Sequence, residues 1–238
     1  MYETSAIILL QPELTGRQMV SSDTAAPTPL AQKLPAGARV RTRQTREERA
    51  GDARAAIFAA AAEVVGKHGY ADASITRITE LAGIAQGTFY LYFESRQALF
   101  DELLPHVGKD MLAFISDRIA GAKDMLDLEE RGFRAFFEFM EGNPGFFRIL
   151  NEAEVAAPLA HELHFKQSAD HFVESLQRGI RAGQIRAFDH DDLETVVYVF
   201  MAARSYLYMR FVKGKAAGAK LPEKVVTAYM KLVRDGLR

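Results

Sequence analysis

Two short helices separated by a tight turn are predicted between residues 74 and 93, and this arrangement most constrains the fold. Ser74 is a suitable N-cap, because its hydroxyl precedes apolar residues at helical spacing. Gly83 can adopt the left-handed backbone that ends a helix. The second helix is expected to run from Ala85 to Phe93. Two short helices joined by a glycine-containing turn are typical of a helix-turn-helix.

The outer face of the second helix carries hydrogen-bonding groups but little charge. Phe89 and Phe93 are four residues apart and can pack inward together. The remaining side chains offer amide, hydroxyl and phenol groups, which suit base edges and phosphates in a DNA major groove. Gly87 would let the backbone approach a ligand closely. The alternative is an aromatic-rich core helix that binds nothing.

Residues 78–99 read ITELAGIAQGTFYLYFESRQAL. This stretch resembles the DNA-binding signature of the tetracycline-repressor (TetR) family, with mild departures at Leu91 and Arg96. The resemblance implies an all-α fold with an N-terminal three-helix DNA-binding domain and a larger helical domain for effector binding and dimerisation. We therefore predict that twelve residues contact DNA, namely Arg43, Arg46, Ser74, Thr76, Arg77, Gln86, Gly87, Thr88, Tyr90, Leu91, Tyr92 and Arg96.

A basic arm precedes the first folded helix. From residue 39 onward, arginines at positions 39, 41, 43 and 46 come before the first acidic residue, Glu47, whereas the chain as a whole has a net charge of −1. DNA affinity would therefore depend on local positive charge, and such an arm can contact phosphates or enter the minor groove. The alternative is a solvated run of charge with no specific contact.

Helical periodicity with glycine and proline breaks predicts an all-α protein of nine to ten helices. We expect a disordered extension over residues 1–38, a DNA-binding domain over 39–94 and an effector-binding and dimerisation domain over 95–238. A start codon assigned too early, with Met19 as a later start, would explain the extension equally well. Ser95 should cap the fourth helix, and Pro105 should kink or end it.

Composition excludes several classes of protein. The absence of cysteine excludes disulfides and thiolate chemistry. No apolar run approaches the ~20 residues that span a bilayer, and the N-terminus does not resemble a signal peptide. Common motifs of hydrolases and nucleotide-binding enzymes are also missing. We predict a cytoplasmic protein that is not an enzyme and has no cofactor.

The region after residue 105 is rich in Phe and Met, which would suit either a pocket for an apolar ligand or a packed core. The resemblance implies that some of these residues line an effector cavity, and the segment FFEFMEGNPGFFRILNEAE resembles relatives that sense acyl chains. We predict a small apolar effector, fatty acyl or aromatic. The histidines within residues 161–171 could form a metal site, but no HExxH motif or thiolate accompanies them. Solvent-facing or pocket-lining roles are therefore favoured. The predicted ligand-binding residues are Phe114, Phe136, Phe137, Met140, Phe147, Glu152, His161 and His164.

Residues 196–212 are apolar on more than one face, so something must cover this helix. It is either the centre of its domain or part of a subunit interface. In the family that the motif resembles, the last two long helices pack with their two-fold mates as a four-helix bundle. That resemblance implies a homodimer, for which we predict interface residues Phe200, Leu207, Tyr208 and Phe211. We expect the last two helices of this chain to form the same contact. The preceding long helix, from Pro158 to about Ala182, is expected to turn five apolar residues inward, namely Leu159, Leu163, Phe172, Leu176 and Ile180.

These features predict a ligand-responsive transcriptional repressor that binds a palindromic DNA operator as a dimer and is released by a small apolar effector. Two other functions stay open from sequence. One is a small-molecule binding or catalytic helical protein whose helix-turn-helix is a remnant, and the other is a DNA-architectural protein without an effector. Polar residues on the outer face of the second helix favour DNA reading over the remnant.

Overall fold

The computed structural model describes residues 46–186, 188–215 and 219–237, which belong to one compact unit. Within these ranges the chain forms nine helices and no strand, which confirms the predicted all-α fold. The predicted extension and most of the basic arm lie outside the described residues. The helices are α1 Arg46–His68, α2 Ile75–Ala82, α3 Gln86–Phe89, α4 Arg96–Ile119, α5 Met125–Gly142, α6 Phe146–Ala156, α7 Pro158–Arg181, α8 Leu193–Phe211 and α9 Glu223–Leu237.

Helices α1 to α3 form a small three-helix head. Its core brings Ile57 and Val65 of α1 against Ile78 of α2 and Phe89 of α3, and all four side chains are fully buried. Phe93 closes this core through edge contact with the ring of Phe58, at 5.3 Å between centroids. Aromatic packing thus fixes α3 on the head and leaves its other face to solvent.

Helix α4 continues from the head into the rest of the molecule. Ser95 caps it as predicted, because its hydroxyl oxygen accepts a hydrogen bond from the Ala98 N–H at 3.0 Å. Of the two outcomes predicted for Pro105, the end of the helix is wrong, since α4 continues through the proline to Ile119, and a kink stays a prediction. Buried Leu104 and Met111 on either side hold the helix against its neighbours, so tertiary packing overrides the local cost of proline.

Helices α5 to α9 form the body, and the hydrophobic core runs without a break from the head into it. Helix α4 packs against α5 and α7, α8 packs against α7, and α9 packs against α5. The prediction that Leu159 and Leu163 face inward is wrong, because these side chains are 74% and 45% exposed. The buried face of the same helix carries Ala160, His164 and Leu176, so Leu159 and Leu163 lie on its opposite, exposed side.

One ion pair lies inside the body among aromatic rings. Arg204 of α8 donates to Glu129 of α5 at 2.6 Å, and the Tyr229 hydroxyl of α9 donates to the same carboxylate oxygen at 2.5 Å. Arg204 also lies 5.0 Å from the ring centroid of Phe172. Burial raises the pKa of the Glu129 carboxyl, while Arg204 and the Tyr229 hydrogen bond oppose that shift. This network ties three helices together in a fixed register.

Candidate nucleic-acid interface and its junction with the body

Both ends of α2 have the local structure that the sequence predicts. The Ser74 hydroxyl oxygen accepts a hydrogen bond from the Arg77 N–H at 3.3 Å, which satisfies a free donor of the first turn. Gly83 has φ 68°, in the left-handed region, and its N–H bonds the Glu80 carbonyl. The Ile84 N–H then returns to the Thr79 carbonyl at 3.0 Å, so the chain reverses directly into α3.

Helix α3 is shorter than the predicted span to Phe93, because it ends at Phe89. The Leu91 N–H bonds the Thr88 carbonyl, and the Tyr92 N–H bonds the Phe89 carbonyl, at 3.2 and 3.0 Å. Bonds between residues three apart tighten the backbone into a turn after the helix. Leu91 and Tyr92 therefore lie on this turn and not on the helix itself.

The surface formed by Thr76, Gln86, Tyr90 and Leu91 faces solvent, and we call it the reading face. Tyr90 is 55% exposed and Leu91 is 79% exposed. The Gln86 amide nitrogen donates to the Thr76 hydroxyl oxygen at 2.8 Å, which joins the two helices and orients the amide. Gly87 is exposed, and a Cβ there would meet nothing within 4 Å, so packing inside the chain does not require glycine.

The remaining predicted DNA contacts border this face or lie outside the described part of the chain. Thr88 and Tyr92 are half-buried at its edge. Arg77 is exposed and donates to the Asp72 carbonyl at 3.1 Å, while Arg96 is exposed and donates to the Ala71 carbonyl at 3.4 Å. Arg43 is outside the described residues, and Arg46 is described only as the first backbone position of α1.

Comparisons with known proteins identify this arrangement. The tetR family of bacterial regulatory proteins matches residues 57–103, which span the head and the start of α4. The transcriptional repressor NicS of Pseudomonas putida is 30% identical over 184 residues, which cover 71% of this chain and 82% of NicS. The chain belongs to the tetR family of bacterial regulatory proteins. It is a helix-turn-helix transcriptional regulator and belongs to a family of regulatory proteins, not of enzymes.

Similarity to other family members varies along the chain. The HTH-type transcriptional regulator YvdT of Bacillus subtilis is 45% identical over 65 residues, which span 27% of this chain but only 31% of YvdT. FadR of Bacillus subtilis, solved in complex with stearoyl-CoA, superposes with a TM-score of 0.63 at 17% identity over 78% of this chain and all of that one. The second comparison shows a shared fold, including the helical body.

A polar junction that the sequence did not reveal connects the TetR-type head to the body. Glu152 of α6 accepts a hydrogen bond from the Tyr70 N–H at 3.0 Å, and Arg148 donates to the Lys67 carbonyl at the end of α1. The prediction that Glu152 faces a ligand is not supported, because its carboxylate bonds the turn between α1 and α2. Nearby, Gly66 and Gly145 bring two backbones together, and a Cβ on Gly66 would lie 2.7 Å from the Gly145 Cα.

Most of the predicted ligand-binding residues pack against one another. Phe136, Phe137, Met140 and Phe147 are each at most 7% exposed, and the rings of Phe136 and Phe137 meet edge to face. Phe114 is half-buried beneath Arg118. This packing is that of a core, so a ligand would have to separate these side chains. A surface pocket of about 170 Å³ lies elsewhere, between Met125, Gln184 and the end of α9.

The two predicted histidines occupy different environments on α7. His161 is half-buried, and its ring centroid lies 4.5 Å from that of Phe165. His164 is only 3% exposed and lies against Gly108 of α4. Burial, with a smaller effect of His161, lowers the pKa of His164 from 6.5 to about 4. Its ring is therefore neutral at pH 7.

The predicted interface residues on α8 divide between the interior and the surface. Phe200 and Tyr208 are buried within the chain, where Phe200 meets Phe172 and Tyr208 meets Phe147. Their interior packing explains their apolar character and does not support a place in an interface. Leu207 and Phe211 are half-buried. Other large apolar side chains on α7 and α8 are exposed instead, namely Leu159, Leu163, Tyr198, Val199, Tyr206 and Met209.

The nine helices also bear on membrane and metal binding. Among the residues that the structure describes, no helix is both long and apolar enough to cross a membrane. No group of three or more His, Asp or Glu side chains in the described part of the chain is placed to hold a metal ion.

Proposed function

We propose that this TetR-family regulator is a repressor that binds a palindromic DNA operator as a homodimer and is released by a small apolar effector. The observation that carries the proposal is the reading face, where hydrogen-bonding side chains are exposed on two helices held together by the Thr76–Gln86 bond. A regulator that reads DNA would act in the cytoplasm.

The held amide of Gln86 suits an adenine edge. One amide hydrogen is used by Thr76, which leaves the second hydrogen and the carbonyl oxygen free. Adenine presents one acceptor and one donor in the major groove, so the free pair matches it in a bidentate arrangement. Leu91, exposed and apolar, can meet a thymine methyl, and the bare surface at Gly87 leaves room for the DNA backbone.

In a dimer, the head of the second subunit would contact the second half-site of the palindromic operator. The exposed apolar side chains of α7 and α8 form the surface that a second copy would cover, and large exposed apolar surfaces mark such interfaces. Two heads would then enter successive major grooves about one DNA turn apart. Replacing Val199 and Tyr206 by Glu should give monomers by sedimentation, whereas Val155→Glu, at an exposed apolar position of α6, should leave the dimer intact.

Effector release requires that a ligand binds one conformation of the protein better than another. The solved FadR structure shows that a protein of this fold holds an acyl-CoA, which supports an apolar effector here. Helix α4 provides a direct route for the coupling, because it begins at the head and ends inside the body. A coupling of ~1–3 kcal/mol would be typical and would lower operator affinity by about one or two orders of magnitude.

The reading face is tested by operator binding of a Gln86→Ala, Thr88→Ala double variant. We expect a loss of ~1–3 kcal/mol for each good base contact and weaker discrimination between operator and random DNA. Thr76→Ala should reduce operator affinity less, because the Gln86 amide is still present and loses only the hydrogen bond that orients it. Thr227→Ala serves as the matched control and should bind like the parent protein. Full operator affinity in a folded double variant would contradict the assignment.

A further inference from the structure

Six polar or charged side chains are buried among the described residues, and four of them have hydrogen-bond partners. Glu129 and Arg204 bond each other, Thr79 bonds backbone carbonyls of its own helix, and Ser175 bonds the His171 carbonyl and Arg178. The other two are His164 and Ser168 of α7; away from them, the Tyr70 hydroxyl is also buried without a partner. Buried polar groups are normally hydrogen-bonded, so a pair without partners is a departure that requires an explanation.

His164 and Ser168 lie one turn apart on the same face of α7. The Ser168 hydroxyl is buried and has no partner, although a helical serine can commonly bond the carbonyl four residues earlier. Neither ring nitrogen of His164 forms a hydrogen bond within the described part of the chain. The ring of His164 lies near Phe146 and Phe165, with centroids 6.2 and 5.8 Å away, so aromatic side chains border the unpartnered imidazole.

The ring of His164 also contacts α4 at Gly108, where only glycine leaves room for it. A Cβ at Gly108 would lie 2.6 Å from the His164 Cε1 and would overlap Nδ1. Helix α4 follows the reading face in the chain and begins at the head, so this contact places the unpartnered pair on the helix that connects the head to the body. A molecule that bonded the pair would lie at the α4–α7 contact and would bear on α4.

We propose that His164 and Ser168 bind the uncharged hydrogen-bonding group of an otherwise apolar effector, such as an alcohol hydroxyl or the carbonyl of an ester, amide or thioester. The inference rests on the proposed effector-dependent regulation and names the chemistry that the effector presents. Between them a hydroxyl and a neutral imidazole provide donors and acceptors for one such group. Phe146 and Phe165 would contact the apolar chain next to it.

An uncharged group fits this place better than a carboxylate. No buried side chain of α4 or α7 is a lysine or arginine, and the ion-paired cations of these two helices, Arg118 and Lys166, are exposed. His161 is the titratable group that acts on His164, and burial keeps His164 itself neutral. A carboxylate bound between α4 and α7 would therefore be buried without a cation, which is strongly unfavourable.

The test compares 1-decanol and methyl decanoate with decanoate, using calorimetric binding and operator release for the full-length protein. We expect the alcohol and the ester to bind and to release the operator, and decanoate to bind at least about tenfold more weakly. Ser168→Ala and His164→Leu should each reduce affinity for the alcohol and ester about tenfold. Both variants should also keep or raise the Tm, because each removes a buried group that has no partner.

Ser175→Ala is the matched control on the same helix. Its hydroxyl is buried but bonded to the His171 carbonyl and Arg178, so its loss should lower the Tm and leave ligand affinity unchanged. If Ser168→Ala and His164→Leu behave like Ser175→Ala, the pair is structural and the inference is overturned. Absence of binding by all three compounds to the parent protein overturns it as well.

Two further results separate this inference from the proposed function. If the alcohol and ester release the operator equally from the parent and both variants, effector regulation stands and this site is wrong. If they bind through His164 and Ser168 but leave operator affinity unchanged, the site stands and the proposed regulation is wrong.

Discussion

The head and the body use their polar side chains in opposite ways. On the reading face of the head, Thr76 and Gln86 bond each other while staying exposed, so they are available to a partner. In the body, Glu129 and Arg204 are enclosed by aromatic rings and bond only within the chain. The first arrangement can be changed with little effect on folding, whereas the second cannot, because an unpaired buried charge has no water to stabilise it.

The largest effect is expected from breaking the buried pair. Arg204→Ala would leave Glu129 buried without its cation and should lower the free energy of unfolding by ~3–5 kcal/mol, measured by urea denaturation. The exposed pair Arg134–Glu223 provides the contrast, and Arg134→Ala should cost under ~1 kcal/mol. Equal losses in the two variants would remove the distinction between buried and exposed polar groups in this chain.

The next effect concerns pH. The pKa of His164 is about 4 in the folded state, against 6.5 for an unperturbed group. Between these values the unfolded chain binds a proton that the folded chain does not, so stability falls as pH drops from 6.5 to 4, by ~3 kcal/mol in all. His164→Leu should remove this part of the acid sensitivity, and His190→Leu, at an exposed position, should not. Identical acid profiles for the parent and the His164 variant would show that the ring is not kept neutral by burial.

A smaller effect is expected where head and body meet. Gly66→Ala would place a Cβ 2.7 Å from the Gly145 Cα, and the backbones would have to separate at a cost of ~1–3 kcal/mol. Gly51→Ala, earlier on the same helix, has nothing within 4 Å and should instead stabilise the protein by ~0.5–1 kcal/mol. Thermal unfolding of the two variants would reveal whether this junction is as close as the described backbones require.

The smallest effect on stability is expected from the basic arm. Replacing the arginines at 39, 41, 43 and 46 by Ala should change the free energy of unfolding by less than ~0.5 kcal/mol. Operator binding should nevertheless become less sensitive to salt, because the slope of log K against log salt should fall by about 0.9 for each phosphate that the arm no longer neutralises. An unchanged slope would mean that the arm is only a solvated run of charge.

Local signals explain which parts of the fold could be predicted from sequence. Ser74, Gly83 and Ser95 each act through hydrogen bonds to residues within a few positions, and all three behave as predicted. The predicted break at Pro105 is wrong because the effect of a proline depends on distant packing, and α4 continues as one helix on both sides of the ring. The prediction for Leu159 is wrong for a similar reason, since periodicity marks an apolar face without saying whether the chain itself covers it.

The candidate sites also differ in whether a local segment of sequence is enough to predict them. The reading face was predictable because a short, contiguous stretch carries the motif and the local turn that exposes it. The junction of Glu152 with Tyr70, separated by 82 positions, was not, because nothing in either segment indicates the other. The sequence also does not determine which face of α8 is buried within the chain. Phe200 was expected at a subunit interface, but its side chain is buried inside the chain.

The sequence by itself determined the helix-turn-helix, its caps and the all-α class, because these depend on backbone hydrogen bonds and spacings that a short segment contains. Tertiary structure alone decided that Arg204 would meet Glu129, that His164 would lie against Gly108, and that α6 would bond the end of α1. Those contacts join residues far apart in the chain. Their identity follows from how whole helices pack, which no local pattern of residues specifies.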